Sequence, residues 1–128
     1  MKVLDTTFLV DVLRGNSKTS KILENNDVLL TTQINIYELI RGLFLRQVAP
    51  EKMKEVMVVL GDLRVLPLND DALISSADIS AELMRTGKLL PDADCLIAGT
   101  TKAHGIKTII SNNRKHFERI EGLTVENY

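Results

Sequence analysis

Five short apolar runs, spaced along the chain and separated by longer segments of helical period, constrain the fold more than any other feature. KVLD at 2–5, DVLLTT at 27–32, RVLPL at 64–68, KTIIS at 107–111 and LTVEN at 123–127 all have strand length. Between the first two, Phe8, Val12, Leu9 and Leu13 recur at helical spacing until Gly15, and Ser17 is placed to cap a helix running toward Asn25 and Asn26. The segment 33–46 predicts a helix with Ile36, Leu39, Ile40 and Leu43 on one stripe. Ile34, Phe44 and Leu45 make its other side apolar too, the pattern of a helix covered on both faces. Pro50 opens a helix striped by Met53, Val56, Met57, Leu60 and Leu63. Further helices are predicted from Asp70 to Gly87 and from Pro91 to Gly105, with a short helical turn over 114–120. Pro67 restricts RVLPL to a sheet edge or a connection. The alternation predicts an α/β fold: a central, mostly parallel sheet with helices on both faces.

The 128 residues suit one domain, 1–128, and no repeat or Gly/Ser/Pro-rich linker divides them. Aromatics are only 4%, which excludes a surface built by stacking many bases on rings, and a net charge of −1 excludes global attraction to polyanions. Cys95, the single cysteine, excludes an intrachain disulfide and suits a reducing compartment. Asp5 and Asp11 interrupt any signal-peptide core, and no apolar run approaches membrane-spanning length; a soluble cytoplasmic protein with no membrane partner is expected.

A parallel sheet of this kind carries its sites beyond the carboxyl ends of its strands. Asp5 ends the first run; Ser111, Asn112 and Asn113 end the fourth; Asp92 and Asp94 stand where a helix begins; Glu38 is the one carboxylate inside 33–46. Each acid alone has a structural explanation. Asp5 and Asp92 can cap helices, and Glu38 can pair with Arg41 three residues on. Together, Asp5, Glu38 and Asp94 are three acids on separate elements, each embedded in apolar sequence. Gathered in a desolvated cleft they must take up protons or bind a cation, and an oxygen-only set without His or Cys selects Mg²⁺ or Mn²⁺ over zinc. Asn113 could hold one of the ion's waters. Such an ion draws in a phosphodiester and activates water for in-line attack.

VLDTTFLVDVLRG, INIYELIRG, PDADCLIAGTTKAHG and IISNNRKHFERIEGLTVENY, in that order, resemble the signature blocks of PIN-domain ribonucleases, in particular VapC-type toxins of toxin–antitoxin pairs. The resemblance spans nearly the whole chain. It implies a PIN-like fold and a Mg²⁺-dependent endoribonuclease, the toxin of a type II system, with Asp5, Glu38 and Asp94 as catalytic metal-binding acids and Thr6 supporting the first. Asp94 matches better than Asp92, which is kept as a helix cap or outer acid. Thr7 stands where the family often has Asn, and Asn113 where many PIN domains have a fourth acid, so one ion is expected to be bound tightly. Arg14, Arg114 and Lys115 are placed to contact RNA phosphates. His104 and His116 read as surface residues. The resemblance also implies a homodimer and a cognate VapB-like antitoxin that lies across an apolar groove and reaches into the site.

Three other readings compete. A receiver-like phosphoacceptor domain needs an aspartate ending a central strand, where DVLLTT has threonines, and a lysine after a later one, where KTIIS leads into Asn-Asn. An aspartyl-phosphate phosphatase needs its DxD motif to close the first strand, where this chain has Asp5-Thr6-Thr7. A degenerate PIN domain that binds RNA without cleaving it needs an acid to be missing, and all three principal acids are present.

Overall fold

A computed structural model describes residues Met1–Tyr128. Five strands, β1 (Lys2–Leu4), β2 (Leu29–Thr32), β3 (Arg64–Leu66), β4 (Thr108–Ile110) and β5 (Thr124–Glu126), form one sheet in the order β3-β2-β1-β4-β5. Every pairing is parallel, so the expected mostly parallel sheet is wholly so. The helices are α1 (Thr6–Leu13), α2 (Ser20–Leu23), α3 (Gln33–Leu45), α4 (Pro50–Gly61), α5 (Asp70–Arg85), α6 (Asp92–Ala103) and α7 (Arg114–Phe117).

The strand pleat sends successive side chains to opposite faces, and both faces are apolar because both are covered. Val3, Leu30 and Ile109 belong to a core shared with Ile79 and Leu83 of α5 and Ile97 and Ala98 of α6. Their neighbours Leu4 and Ile110 belong to a second core with Phe8 and Leu9 of α1, Leu39 and Leu43 of α3, and Val56 and Leu60 of α4. Val3 pairs with both Leu30 and Ile109 in register, which makes β1 the central strand. β3 lies at an edge and stops one residue before Pro67, where a missing amide costs the ladder nothing.

Three local expectations are corrected. Ser17 is not a cap: Asn16 holds that position, accepting the Lys18 amide at 3.0 Å, and opens a single 3-10 turn (Ser17–Thr19) ahead of the short α2. Asp92 is not a cap either. Pro91 occupies the cap position of α6 without a side-chain bond, and Asp92 is the helix's exposed first residue. The far side of α3 is only partly covered: Ile34 packs on the first core, whereas Phe44 and Leu45 are 68% and 83% exposed.

Candidate active site

The parallel sheet brings the carboxyl ends of β1, β2 and β4 to one rim. Asp5 follows β1 directly, and its amide donates to the Ile110 carbonyl at 3.0 Å, carrying the sheet one residue further. It occupies the cap position of α1 with extended backbone, but its carboxylate makes no capping bond. The group turns across the rim instead. Oδ1 accepts from Asn35 Nδ2 at 3.1 Å, while Oδ2 accepts from Ser111 Oγ at 2.6 Å and Thr7 Oγ1 at 3.4 Å.

Asn35 is fully buried and connects two of the acids. β2 runs without a break into α3, and Thr32 caps that helix. Thr32 Oγ1 accepts the Asn35 amide at 3.2 Å, and Asn35 Oδ1 accepts from the Thr32 amide at 3.2 Å and its hydroxyl at 2.7 Å. That box fixes the rotamer and sends Nδ2 outward to Asp5 and to Thr6 Oγ1, 3.0 Å away. Thr6 Oγ1 then donates to Glu38 Oε1 at 2.8 Å, one turn further along α3. The Glu38–Arg41 pair is present but long, at 3.9 Å.

Asp94 lies in the first turn of α6, where the helix dipole favours its charge. It is nearly buried, and its Oδ2 stands 2.8 Å from His116 Nδ1. A carboxylate can only accept, so the imidazole donates from Nδ1.

Charge and burial act together on this rim. Burial pushes the Asp5 carboxyl above the usual carboxylate range, with the Ser111 hydrogen bond opposing and the charge of Asp94 adding. Burial likewise raises Glu38, Thr6 opposes, and the charges of Asp5 and Asp94 raise it further. The three acids therefore lie in one another's field. They do not form a closed cage, since no group of three or more His, Cys, Asp or Glu side chains is arranged to hold an ion. The donor set still fits a hard divalent cation, which takes oxygen ligands, keeps several waters and commonly uses only one or two carboxylates. Asp5 Oδ1 and both Asp94 oxygens retain lone-pair capacity beyond the bonds above, whereas Asp5 Oδ2 already accepts two.

The other residues singled out from the sequence fall in different places. The Asn113 side chain is exposed and bonds to none of the acids; only its backbone amide takes part, donating to Ser111 Oγ at 2.9 Å. Asp92 opens onto a separate cavity between α5 and α6, beside Ser76, Ser80 and Cys95. Arg14, at the end of α1, lines a groove with Glu38, Arg46 and Lys52 over an apolar floor. Arg114 is engaged by Glu118, while Lys115 is exposed and unpaired. Sequence reasoning missed Asn35 and the direct role of Ser111, and it assigned His116 to the surface, although the ring bonds to Asp94. The run Thr32-Gln33-Ile34-Asn35 held a signal for the first of these, as a capping box with Asn in place of Glu or Gln.

A model for the PIN domain matches residues 2–123. This chain belongs to the PIN domain family. Among its relatives is the tRNA(fMet)-specific endonuclease VapC of Salmonella typhimurium, 32% identical over 105 residues, 81% of this chain and 78% of that one. The DNA-bound VapBC complex of Salmonella typhimurium includes a chain 27% identical to this PIN domain with a TM-score of 0.81, covering 98% of this chain and 96% of that one. VapBC2 of Rickettsia felis, bound to a promoter DNA fragment, superposes with a TM-score of 0.89 at 23% identity, covering 99% and 98%, a likeness of fold. No helix of this PIN domain is long and apolar enough to cross a membrane.

Proposed function

We propose that this PIN domain is a metal-dependent endoribonuclease, the toxin of a type II toxin–antitoxin pair, acting in the cytoplasm as one domain over 1–128. The observation that carries the reading is the tether Asp5–Asn35–Thr6–Glu38, which holds one buried and one half-buried acid at one rim in the field of Asp94. The ribonuclease names of the relatives support it. Asp5 and Asp94 would hold Mg²⁺, or Mn²⁺ in its place, with Glu38 completing the acidic face. When bound, the ion supplies positive charge against the phosphodiester and a more acidic water. Thr6 and Asn35 hold Glu38 and Asp5 in place, so little reorganisation is needed when substrate arrives. Arg14, together with Arg46 and Lys52 on the same groove, and Arg114 and Lys115 beyond Ser111, position RNA through its phosphates without reading sequence. Asn113 supports the site through its backbone amide to Ser111, and Asp92 stands apart on its own cavity.

Two partners belong to the same reading. The exposed Phe44 and Leu45 of α3 and Val58 of α4 form a homodimer contact, and the apolar groove beside Glu38 receives a VapB-like antitoxin.

The experiment is direct. Protein purified free of any partner cleaves RNA with Mg²⁺ or Mn²⁺, is silenced by a chelator, and loses activity in Asp5→Asn and Asp94→Asn while remaining folded. tRNA is the first substrate to try, given the name of the Salmonella relative. The open arrangement of the acids favours a second reading, an RNA-binding PIN domain without cleavage. A parent protein that retains RNA and never cuts it selects that reading.

A further inference from the structure

One seven-residue segment touches both ion-facing aspartates. Ser111 follows β4 and donates to Asp5 Oδ2 at 2.6 Å, and the Asn113 amide donates to Ser111 Oγ at 2.9 Å. Five residues after Ser111, His116 Nδ1 donates to Asp94 Oδ2 at 2.8 Å. Both ends of the segment are anchored, because Ser111 and Phe117 are each 0% exposed, with Phe117 in the core between α6 and the sheet. Asp5 and Asp94 come from different elements, β1 and α6, and this short connection bonds to both.

We propose that the segment 111–117 is a bracket that sets the placement of Asp94 relative to Asp5, and that His116 is its positioning residue. The inference rests on the reading of these two acids as the pair that holds the ion. Its physical basis is the geometry of Asp94. A carboxylate on a helix can rotate to present either oxygen, and a ring nitrogen bound to Oδ2 restrains that freedom and leaves Oδ1 outside the bond. Hydrogen bonds of this kind to ligating groups orient them, and their loss commonly weakens metal affinity by about 10- to 100-fold. His116 itself carries no apolar packing duty comparable to that of Phe117. Its side chain is 42% exposed, so replacing it leaves the fold intact.

The test is Mn²⁺ binding to the purified, partner-free protein, followed by the electron paramagnetic resonance signal of the free ion. Parent, His116→Ala, His116→Asn and Asp94→Asn are compared, with the thermal midpoint of each recorded without metal. His116→Ala is expected to weaken binding by about 10-fold or more. His116→Asn, whose amide nitrogen can replace Nδ1, stays within about 3-fold of the parent. Both variants keep the parent's midpoint. If Asp94→Asn loses Mn²⁺ and His116→Ala binds it like the parent, the bracket is wrong and the acid assignment stands. If both His116 variants lose affinity alike, the hydrogen bond is not the means and the proposal fails. If Asp94→Asn binds as the parent does, or the parent binds none, the reading of the site has failed and the bracket with it.

Discussion

Asn35 Nδ2 stands 3.1 Å from Asp5 Oδ1, so the residue that caps α3 from within also holds the acid that ends β1. Replacing Asn35 with Ala removes the capping box and leaves buried partners unsatisfied. The expected loss is about 2–4 kcal/mol, combining a lost cap with orphaned polar groups. Urea denaturation measures it, and a shift below about 1 kcal/mol removes Asn35 from its central place.

Asp5 carries a burial cost that its hydrogen bonds offset only in part. Its carboxyl is raised, chiefly by burial, so the folded state favours the neutral form. The associated stability is complete below the unfolded-state value and is lost as pH rises through the folded one. The chelated parent should therefore melt at falling temperature as pH climbs out of the carboxylate range, and Asp5→Asn should show a smaller decline and melt higher at neutral pH. An Asp5→Asn protein less stable than the chelated parent at pH 7 contradicts this.

Metal linkage gives the complementary result. Mn²⁺ at a hundred times its dissociation constant should stabilise the parent by about 2.7 kcal/mol. Calorimetry on the parent and on Asp94→Asn separates a site effect from a general salt effect, since only the former disappears in the variant.

Gly99 of α6 lies close against Ser76 of α5. A Cβ there would lie 2.5 Å from the Cα and the backbone nitrogen of Ser76. Gly99→Ala should cost about 3 kcal/mol, the upper part of the usual overpacking range. Adding Ser76→Gly removes the hydroxyl that would lie nearest, at 2.0 Å, but should not restore stability fully, because the backbone obstructs as well. Full recovery in the double variant would place the contact elsewhere.

Phe44→Glu with Leu45→Glu tests the proposed self-association surface. Both positions are solvent-exposed in the single chain, so its stability should move by no more than about 0.5 kcal/mol. Sedimentation should nevertheless show the dimer replaced by monomer. An unchanged sedimentation profile assigns these residues no part in a dimer.

The strand–helix alternation was legible because both sheet faces are covered, so Val3-Leu4 and Ile109-Ile110 read as uninterrupted apolar pairs. Asp5 and Glu38 stood out as charges within such runs. Asn35 did not, because a neutral amide in a helix has many ordinary uses and its value lies in a partner 30 residues away. His116 was hidden for a related reason. Its partner is 22 residues earlier, and only the short turn of α7 brings them together. Asp92 was misplaced by one local rule: an acid after proline suggests a cap, but here the proline itself takes the cap position.

The central strand, β1, is the first element of the chain, yet one of its two neighbours, β4, is nearly the last. Asp5 reaches Ser111 across 106 residues of sequence. The acidic rim therefore stays unbuilt in a nascent chain until β4 and Ser111 have been made, and the proposed capacity to cut RNA cannot precede them.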